Sequence, residues 1–548
     1  MKMRPGVPTR YRPALRALGW MAVAIAMTHC ASVRRFLVPP PTPEAHQRAA
    51  KAKPEPSHAD LALVAASVYG VPGARTVAMR GDQVLAVGTP LEISATLGPA
   101  TRLVSVPGGV VMPGWVDAHV HLQGVAQLMD AADLRSVRDR ASLAAAVQVA
   151  LATADEWLWG FGMPQETYDN LTSADLEAAL DGKPAYLSRA DGHGARVTAA
   201  LHAWLTPELR SQVVAADGRI DEVLAQKVWR ELPSLRAARL RPLVRQTLMK
   251  LQRVGLTEVH AMGESATVAT VLAELEHEGR LPMRVKLFLD YERPEGKRLL
   301  DGTFNLPYKG LLEIAGVKLW LDGTLGARTA ALSKPYADRP GESGKLLYSD
   351  AELQKVIERA DRRQLQVALH AIGDAAVVQI TRVIKGMSRP KLARPVRIEH
   401  AQVVDPQTLQ GLEPGSVECS IQPRHAEMDK AFAQERLGAE RLSWAYRGLE
   451  LAERCPIRVG SDMPVLGADP LADRLALLRS APGQMPKERA ESLALAALTS
   501  GGTAAGDVAI RSGSRADLVV WSADPLVDPQ AKPLWVIVAG VAMRMILE

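Results

Sequence analysis

The stretch VMPGWVDAHVHLQG at residues 111–124 passes from an apolar run into two histidines, His119 and His121, with one valine between them. The run is typical of a buried strand, in which side chains alternate between the two faces. The two imidazoles therefore point to the same side of the strand, at its end. A His-x-His motif alone is weak, because a structural pair of histidines explains it as well as a metal site does. The rest of the chain decides between these interpretations.

Seven more segments have the composition of buried strands, and helical stretches at 142–157, 269–279 and 349–363 separate several of them. The segments are LTEVHAM (256–262), RVKLFLD (284–290), GVKLWLDG (316–323), LQVALHAIGD (365–374), PVRIEHAQ (395–402), VECSIQP (417–423) and PIRVGSDMP (456–464). Strands that alternate with helices indicate a parallel sheet with crossover connections. The sequence therefore predicts an α/β protein with a (β/α)8 TIM barrel at 114–504, interrupted by an insertion at about 155–250. In such a barrel the active site lies at the carboxyl ends of the strands.

Both ends of the folded region have short strands broken by glycine and proline, at 60–113 and at 505–548. The pieces RGDQ (80–83) and VPGG (106–109) are typical of turns. Neither end is long enough to bury a core of its own. We therefore expect the two ends to form one small β-sandwich domain with a shared core.

The N-terminal segment has the pattern of an export signal. Five cations precede the apolar run ALGWMAVAIAMT at 17–28, which has the length of a signal-peptide core and is short for a membrane-spanning helix. Cys30 follows closely, so 1–30 is predicted to be a signal peptide or a lipoprotein signal, although His29 stands where a lipobox has a small residue. An uncleaved membrane anchor is the alternative. A linker rich in proline and alanine at 31–59 follows. We expect an exported protein, periplasmic or membrane-anchored as a lipoprotein.

The formal net charge of +6 is concentrated at the N-terminus. Residues 1–56 contain ten lysines and arginines but two glutamates, and the remaining 56 basic and 58 acidic residues give a net charge of −2. Nucleic acids are recognised by clustered positive charge, so we expect no nucleic-acid partner. Cys419 and Cys455 lie in apolar runs and are predicted to be buried free thiols. The oligomeric state stays open, with a homo-oligomer among the expectations.

Polar residues at the ends of the predicted barrel strands would meet in one bowl. They are His119, His121, Lys318, His370, His400 and Asp462. Imidazoles and a carboxylate are ligands of zinc and of similar divalent metals. Lys318 is out of place among them, because an ammonium group repels a cation.

Several segments resemble the metal motifs of the amidohydrolase superfamily, and more narrowly its amidohydrolase-3 branch of YtcJ-like proteins and N-substituted formamide deformylases. The motifs are PGWVDAHVH (113–121), GVKLWLDGTLGARTAAL (316–332), LHAIGD (369–374), RIEHAQ (397–402) and GSDMPV (460–465). Further marks of the branch are WLWGFGMPQETY (157–168), SRADGHGARV (188–197), SIQPRHAEMD (420–429) and GSRADLVVWSADP (513–525). The resemblance covers roughly residues 60–548. It implies a metal-dependent hydrolase in a TIM barrel with a β-sandwich built from both chain ends.

Carried over residue by residue, the resemblance implies that the six residues of the bowl hold two divalent metal ions, with zinc favoured. It also implies that Lys318 carries a carbamate that bridges the two ions, whereas a lysine extending to water is the alternative. Two bridged metals polarise a carbonyl and activate the hydroxide between them. Asp462 would accept the proton of that water and pass it to the leaving nitrogen, which makes it the predicted catalytic residue.

Four other residues are predicted to lie near the substrate. His193 (in RADGHGA), His425 (in QPRHAEMD) and Arg447 (in WAYRGL) match positions that the branch uses there, although ordinary loop hydrogen bonds explain them nearly as well. Asp322 shares a strand face with Lys318, and substrate binding or support of a loop is its favoured role. The role of His260, at another strand end, stays open.

The leading function is hydrolysis of an amide-type C–N bond, peptide-like or not, in a small molecule. Deamination and the hydrolysis of esters or lactones are alternatives, because hydroxide attack on an sp² carbon is common to all of them. A surface-anchored binding protein with a lapsed metal site is a third alternative, against which the six matched positions argue. Specificity in such barrels lies in the loops, so the substrate is not predicted.

Overall fold

The computed structural model describes residues 58–545, apart from 154–155, 191–193, 234, 309, 388–390, 414 and 500–507. The predicted export signal at 1–30, nearly all of the predicted linker and His193 lie outside the described residues. Within the part of the chain that is described, no helix is both long and apolar enough to cross a membrane. Export, lipidation and membrane anchoring therefore stay predictions.

Strands and helices are numbered along the described part of the chain. The strands are β1 (Leu61–Val68), β2 (Thr76–Arg80), β3 (Gln83–Gly88), β4 (Arg102–Pro113), β5 (Trp115–Val120), β6 (Ala132–Asp133), β7 (Leu158–Met163), β8 (Ala185–Arg189), β9 (Gly194–Val197), β10 (Arg219–Asp221), β11 (Leu256–Glu264), β12 (Arg284–Asp290), β13 (Leu312–Trp320), β14 (Gln366–Ala371), β15 (Val396–His400), β16 (Val417–Ile421), β17 (Ile457–Val459), β18 (Leu518–Trp521), β19 (Pro533–Val538) and β20 (Val541–Arg544). The helices are α1 (Leu122–Asp130), α2 (Arg140–Thr153), α3 (Gln165–Asn170), α4 (Ser173–Leu180), α5 (Pro207–Ala215), α6 (Glu222–Glu231), α7 (Ala237–Arg253), α8 (Ala266–His277), α9 (Pro294–Asp301), α10 (Asp350–Arg362), α11 (Asp374–Gly386), α12 (Pro406–Gln410), α13 (His425–Met428), α14 (Ala433–Leu442), α15 (Gly448–Ala452), α16 (Pro470–Arg479) and α17 (Lys487–Leu498). Short 3-10 helices cover Ser94–Thr96, Ala199–Trp204 and Asp429–Ala431.

Strand β5 and the strands from β11 to β17 form one parallel sheet, in the order β17-β16-β15-β14-β13-β12-β11-β5. At the two outer strands, the backbone N–H of Asp462 donates to the carbonyl of His119, and that of His121 donates to the carbonyl of Met463, both at 2.8 Å. Gly460 permits this approach, because an added Cβ would lie 2.4 Å from the backbone nitrogen of His119. The sheet is thus a nearly closed barrel, and the predicted (β/α)8 fold is confirmed.

Amphipathic helices cover the outside of the barrel, and α10 shows how the sequence specifies one. Its buried side chains recur at three- and four-residue spacing, at Leu353, Val356, Ile357 and Ala360. The hydroxyl of Ser349 accepts the backbone N–H of Glu352, whose carboxylate accepts the N–H of Ser349, so a capping box begins the helix. The helix thereby packs one apolar face on the barrel and leads into β14, which carries His370.

The two chain ends share one seven-stranded sheet, in the order β20-β19-β18-β4-β1-β2-β3. Leu63 from one end belongs to the same buried apolar cluster as Val520 and Ile537 from the other end. The edge of β3 also bonds to the segment before β18, where the N–H of Val84 donates to the carbonyl of Ser514 at 2.8 Å. Both ends therefore contribute to one core, as the sequence predicts.

The chain between β5 and β11 contains a third sheet, in the order β10-β9-β8-β7-β6. This sheet spans residues 132–221, so it begins earlier than the insertion that the sequence places at about 155–250. Trp159 on β7 and Tyr186 on β8 line a cavity together with Trp320 and His370 of the barrel. The insertion sheet therefore lies beside the carboxyl ends of β13 and β14.

Of the two cysteines in the described region, Cys419 lies on β16 and Cys455 lies two residues before β17. Cys419 and Cys455 are both buried and free, as predicted, and their Sγ atoms lie 2.8 Å apart. Both belong to the large apolar cluster around the barrel. They are therefore part of the packing rather than of the polar bowl.

Candidate metal centre

The histidines of the opening motif lie at the carboxyl end of β5 and face the barrel interior. Asp117, His119 and His121 are spaced by two residues, so strand alternation places them on one face. Nε2 of His119 and Nε2 of His121 lie 3.4 and 3.1 Å from Oδ1 of Asp462. Nζ of Lys318 lies 3.5 Å from Nε2 of His119. Four of the six predicted ligands thus meet at one place.

His370 and His400 complete the cluster from the neighbouring strands β14 and β15. The ring of His400 lies 4.5 Å from that of His370 and 5.0 Å from that of His119, between centroids. Strand alternation alone would turn His400 outward, because Glu399 before it faces the interior. A positive φ of 72° at His400 redirects the chain and brings its imidazole into the bowl. The structure therefore brings all six predicted ligands together.

Each imidazole is held through one ring nitrogen by a hydrogen-bond acceptor. The pairs are His119 Nδ1 with Glu399 Oε2 (2.7 Å), His121 Nδ1 with the carbonyl of Met262 (2.8 Å), His400 Nδ1 with Gln422 Oε1 (2.8 Å) and His370 Nε2 with the carbonyl of Gly323 (3.0 Å). An acceptor at one nitrogen holds the N–H there and leaves a lone pair on the other nitrogen. This is the state that a metal ligand needs.

Burial keeps most of these imidazoles neutral. Burial and then the charge of Lys318 lower the pKa of His119 to about 4 and the pKa of His370 to about 3. Burial also lowers the pKa of His400 well below its ordinary value. For His121, burial lowers the pKa, but the hydrogen bond to Asp462 and the negative charges of Asp462 and Glu264 together outweigh it, and the pKa is raised. At neutral pH the first three imidazoles are therefore ready to bind a metal without losing a proton.

Lys318 and Asp462 have opposite electrostatic environments. Lys318 is fully buried, and this burial lowers the pKa of its amine, which increases the neutral fraction. Burial alone would raise the pKa of the Asp462 carboxyl, but His119 and His121 hold it well below its usual range. The cluster therefore contains an ionised carboxylate beside an amine that burial makes easier to deprotonate.

The donor set fits a divalent metal. Ligand atoms of His119, His400 and Asp462 are all buried and lie within 4.8 Å of one another. Nε2 of His425 is buried without a hydrogen-bond partner among the described residues, 3.8 Å from Oδ2 of Asp462. Nitrogen and carboxylate ligands in this combination suit zinc and related ions.

Asp322 lies at the edge of the cluster, with Oδ1 at 3.7 Å from Nε2 of His370. Its carboxylate accepts the backbone N–H groups of Ala331 (2.9 Å), Ile372 (3.1 Å) and Gly373 (2.8 Å). The group therefore supports two loops next to the bowl, one of the two roles that the sequence suggests. Its role in substrate binding stays a prediction.

His425 and Arg447 line one cavity of about 220 Å³, together with His400. Nη2 of Arg447 donates to Glu450, whereas its Nε and Nη1 are buried and have no hydrogen-bond partner among the described residues. Ile421, Leu451 and Leu477 give the same cavity an apolar wall. The two predicted substrate residues thus lie where a group of a bound molecule can reach them.

Behind the ligands, a row of buried charges runs through the barrel. Nε of Arg397 lies 2.6 Å from Oε1 of Glu399, and Nη1 of Arg397 lies 2.6 Å from Nδ1 of His260. Nε2 of His260 in turn lies 3.0 Å from Oε1 of Glu258, and the other carboxylate oxygen, Oε2, accepts from Nη2 of Arg515 at 2.6 Å. His260, whose role the sequence leaves open, therefore connects Arg397 to Glu258 within this row. The row holds Glu399 in place against His119.

We expect Glu399→Gln to weaken metal binding by about 10- to 100-fold, because an amide orients His119 less firmly than a carboxylate does. The measurement is the metal content after dialysis against graded chelator. Glu313→Gln is the control, since Glu313 pairs at 3.4 Å with Arg394 outside the bowl. Equal metal retention by Glu399→Gln and the unmodified protein, with unchanged thermal unfolding, would contradict this role.

Known proteins are similar to this chain over both the barrel and the shared sheet. A profile of the amidohydrolase family matches residues 102–542. The chain is 28% identical over 395 residues to the amidohydrolase-family protein YtcJ of Bacillus subtilis, covering 68% of this chain and 74% of that protein. It is 22% identical over 380 residues to an N-substituted formamide deformylase of Arthrobacter pascens, covering 63% of this chain and 69% of that protein. The crystal structure of an uncharacterized metal-dependent hydrolase from Pyrococcus furiosus superposes with a TM-score of 0.71 at 28% identity, covering 85% of this chain and 99% of that one.

Proposed function

This chain belongs to the amidohydrolase family, in its amidohydrolase-3 branch, and from that premise we propose that it hydrolyses an amide-type C–N bond of a small molecule. The observation that carries the proposal is the cluster of oriented imidazoles and an ionised carboxylate around a buried lysine, at the carboxyl end of the barrel. The similarity to an N-substituted formamide deformylase supports an amide rather than an ester as the substrate.

We further propose that the six clustered residues hold two divalent ions, with zinc favoured. They are His119, His121, Lys318, His370, His400 and Asp462. When bound, the ions polarise a carbonyl and lower the pKa of a water molecule. The neutral amine of Lys318 could add to carbon dioxide with release of one proton, and the resulting carbamate would supply an anionic ligand to the metal site. Its complete burial supports this role over that of a lysine extending to water.

The protein's own groups hold and move the protons. Asp462 is ionised and lies within 3.4 Å of two ring nitrogens, so it accepts a proton from the attacking water and returns it to the leaving nitrogen. Glu399 fixes the orientation of His119 through the 2.7 Å contact with Nδ1. The buried floor of the bowl keeps bulk water away from both groups, which strengthens their electrostatic effect.

We expect chelation of the full-length protein to lower amide hydrolysis by at least about 100-fold and added zinc to restore it, because the polarised carbonyl depends on the metal. The assay compares N-formyl and N-acyl amines, lactams, esters and amino-heterocycles, with metal analysis of the same sample. His370→Ala should lose metal, whereas His277→Ala, on the exposed end of α8, should keep it.

Two outcomes would overturn the proposal. Less than one metal per chain, with no gain in activity on adding zinc, would indicate a binding protein with a lapsed site. Turnover of esters or amino-heterocycles without any turnover of amides would assign one of the other hydrolytic reactions to the same cluster.

A further inference from the structure

The chain has few aromatic residues, namely 10 Trp, 9 Tyr and 5 Phe, yet five of them line one cavity of about 730 Å³. They are Trp159, Phe161, Tyr186, Trp229 and Trp320. Four of these side chains come from the insertion between β5 and β11, and Trp320 comes from the barrel. The insertion thus gives this cavity an aromatic wall that the barrel alone does not have.

Trp229 on α6 lies at the centre of this wall. Its ring centroid lies 5.0 Å from that of Trp159 and 5.1 Å from that of Tyr186, both in edge-to-face geometry. Nε1 of Trp159 donates to the hydroxyl of Ser188 at 2.7 Å, which fixes the tilt of that ring. Tilted rings at these separations are the favoured packing of aromatic pairs, so the wall is organised before anything binds.

The cavity is continuous with the metal cluster. Its lining includes His370, a predicted ligand, and Asp322 beside it. Trp320 follows Lys318 by two residues, and Nζ of Lys318 lies 5.1 Å from its ring centroid. A molecule whose reacting carbonyl lies at the cluster therefore has room for one substituent against the aromatic wall.

The charges of the lining argue against a cationic substituent. Asp322 is the one acid among the described lining residues, and backbone N–H groups occupy its carboxylate. The two cations of the lining are Arg328, which pairs with Asp338 at 2.5 Å, and the exposed Lys345. Aromatic faces attract cations, so what disfavours a quaternary ammonium ion here is the positive charge of Lys345 and the absence of a free carboxylate among the described lining residues.

We propose that this cavity binds an uncharged aromatic substituent of the substrate. The identity of that substrate as an amide rests on the proposed function. The volume lies within the range of small-molecule sites, about 300–1,000 Å³, and accommodates one or two fused rings. Edge and face contacts with Trp159, Tyr186 and Trp229 would favour a flat ring over a saturated ring of similar size.

The test measures binding by calorimetry on the full-length, metal-loaded protein with three alcohols that have no bond to hydrolyse. The probes are 3-phenylpropan-1-ol, 3-cyclohexylpropan-1-ol and choline. We expect the phenyl compound to bind about fivefold more tightly than the cyclohexyl compound, and choline more weakly than either. Trp229→Ala should weaken binding of the phenyl compound about tenfold and remove the preference, whereas Trp229→Phe should keep most of it.

Trp535→Ala, on β19 of the shared sheet and away from the cavity, is the control and should bind all three probes as the unmodified protein does. Equal affinities for the two ring compounds, unchanged in Trp229→Ala, would overturn the inference, and so would tightest binding of choline. If the phenyl preference holds but no amide is hydrolysed, the proposed function fails and the aromatic site stands.

Discussion

Lys318→Ala is expected to lower kcat/KM for amide hydrolysis by at least about 1,000-fold and to reduce the metal content, because the proposed carbamate ligand could no longer form. Nζ of Lys318 lies 3.5 Å from Nε2 of His119, so the side chain enters the centre of the cluster. Metal analysis and steady-state kinetics on the same preparation measure the two effects. Full activity with full metal content in this variant would contradict the bridging role.

Rescue separates a bridging role from a packing role for the same lysine. Short carboxylic acids such as acetate or propionate should restore part of the activity of Lys318→Ala, since a free carboxylate can occupy the space that the carbamate leaves. Lys286→Ala is the matched control, because Lys286 also lies on a barrel strand but pairs with Glu258 at 3.3 Å, outside the cluster. Neither the metal content nor the activity of that variant should respond to the acids.

The barrel and the residues of its bowl could be predicted because their pattern is local. Each predicted ligand lies near the carboxyl end of an apolar strand or just beyond it, and the carboxyl ends of parallel strands meet at one rim. The register between β13 and β14, with Lys318 opposite Ala368 and Trp320 opposite His370, places Lys318 two residues deeper in the barrel than His370. The resemblance to a family was needed to assign Lys318 to the metal site, because the positive charge of a lysine argues against a metal ligand.

The groups that orient the ligands could not be predicted in the same way. Glu399 contacts His119 across 280 residues of sequence, so only the closed barrel brings the two together. Strand alternation places Glu399 in the interior, but it does not foresee that the positive φ of His400 brings two consecutive residues to one side. The spacing of Arg397 and Glu399 on one strand face was the available signal for this buried pair.

The insertion was the part of the fold that the sequence described least. Its first strand, β6, has two residues, too few for any alternation to show. The aromatic side chains that line the cavity are spread over β7, β8, α6 and β13, and no single sequence motif contains them all. The proposed specificity of the enzyme therefore depends on tertiary contacts, whereas its metal cluster depends on strand ends.

Asp462→Asn is expected to lower kcat by about 100- to 10,000-fold while most of the metal is retained. The amide keeps an oxygen close to His119 and His121, which lie 3.4 and 3.1 Å from Oδ1 in the native protein, but it cannot accept a proton. Metal analysis beside kinetics distinguishes the two properties. Loss of metal in proportion to activity would instead make Asp462 mainly a ligand.

The leaving group tests whether the same carboxylate also delivers the proton. An aryl amine that leaves without full protonation, such as p-nitroaniline, depends less on a general acid than an alkyl amine does. The loss in Asp462→Asn should therefore be smaller for a p-nitroanilide than for an N-alkyl amide. His425 is the other group in reach, with Nε2 at 3.8 Å from Oδ2 of Asp462. Equal losses for both substrates in Asp462→Asn, and unequal losses in His425→Ala, would assign proton delivery to the histidine.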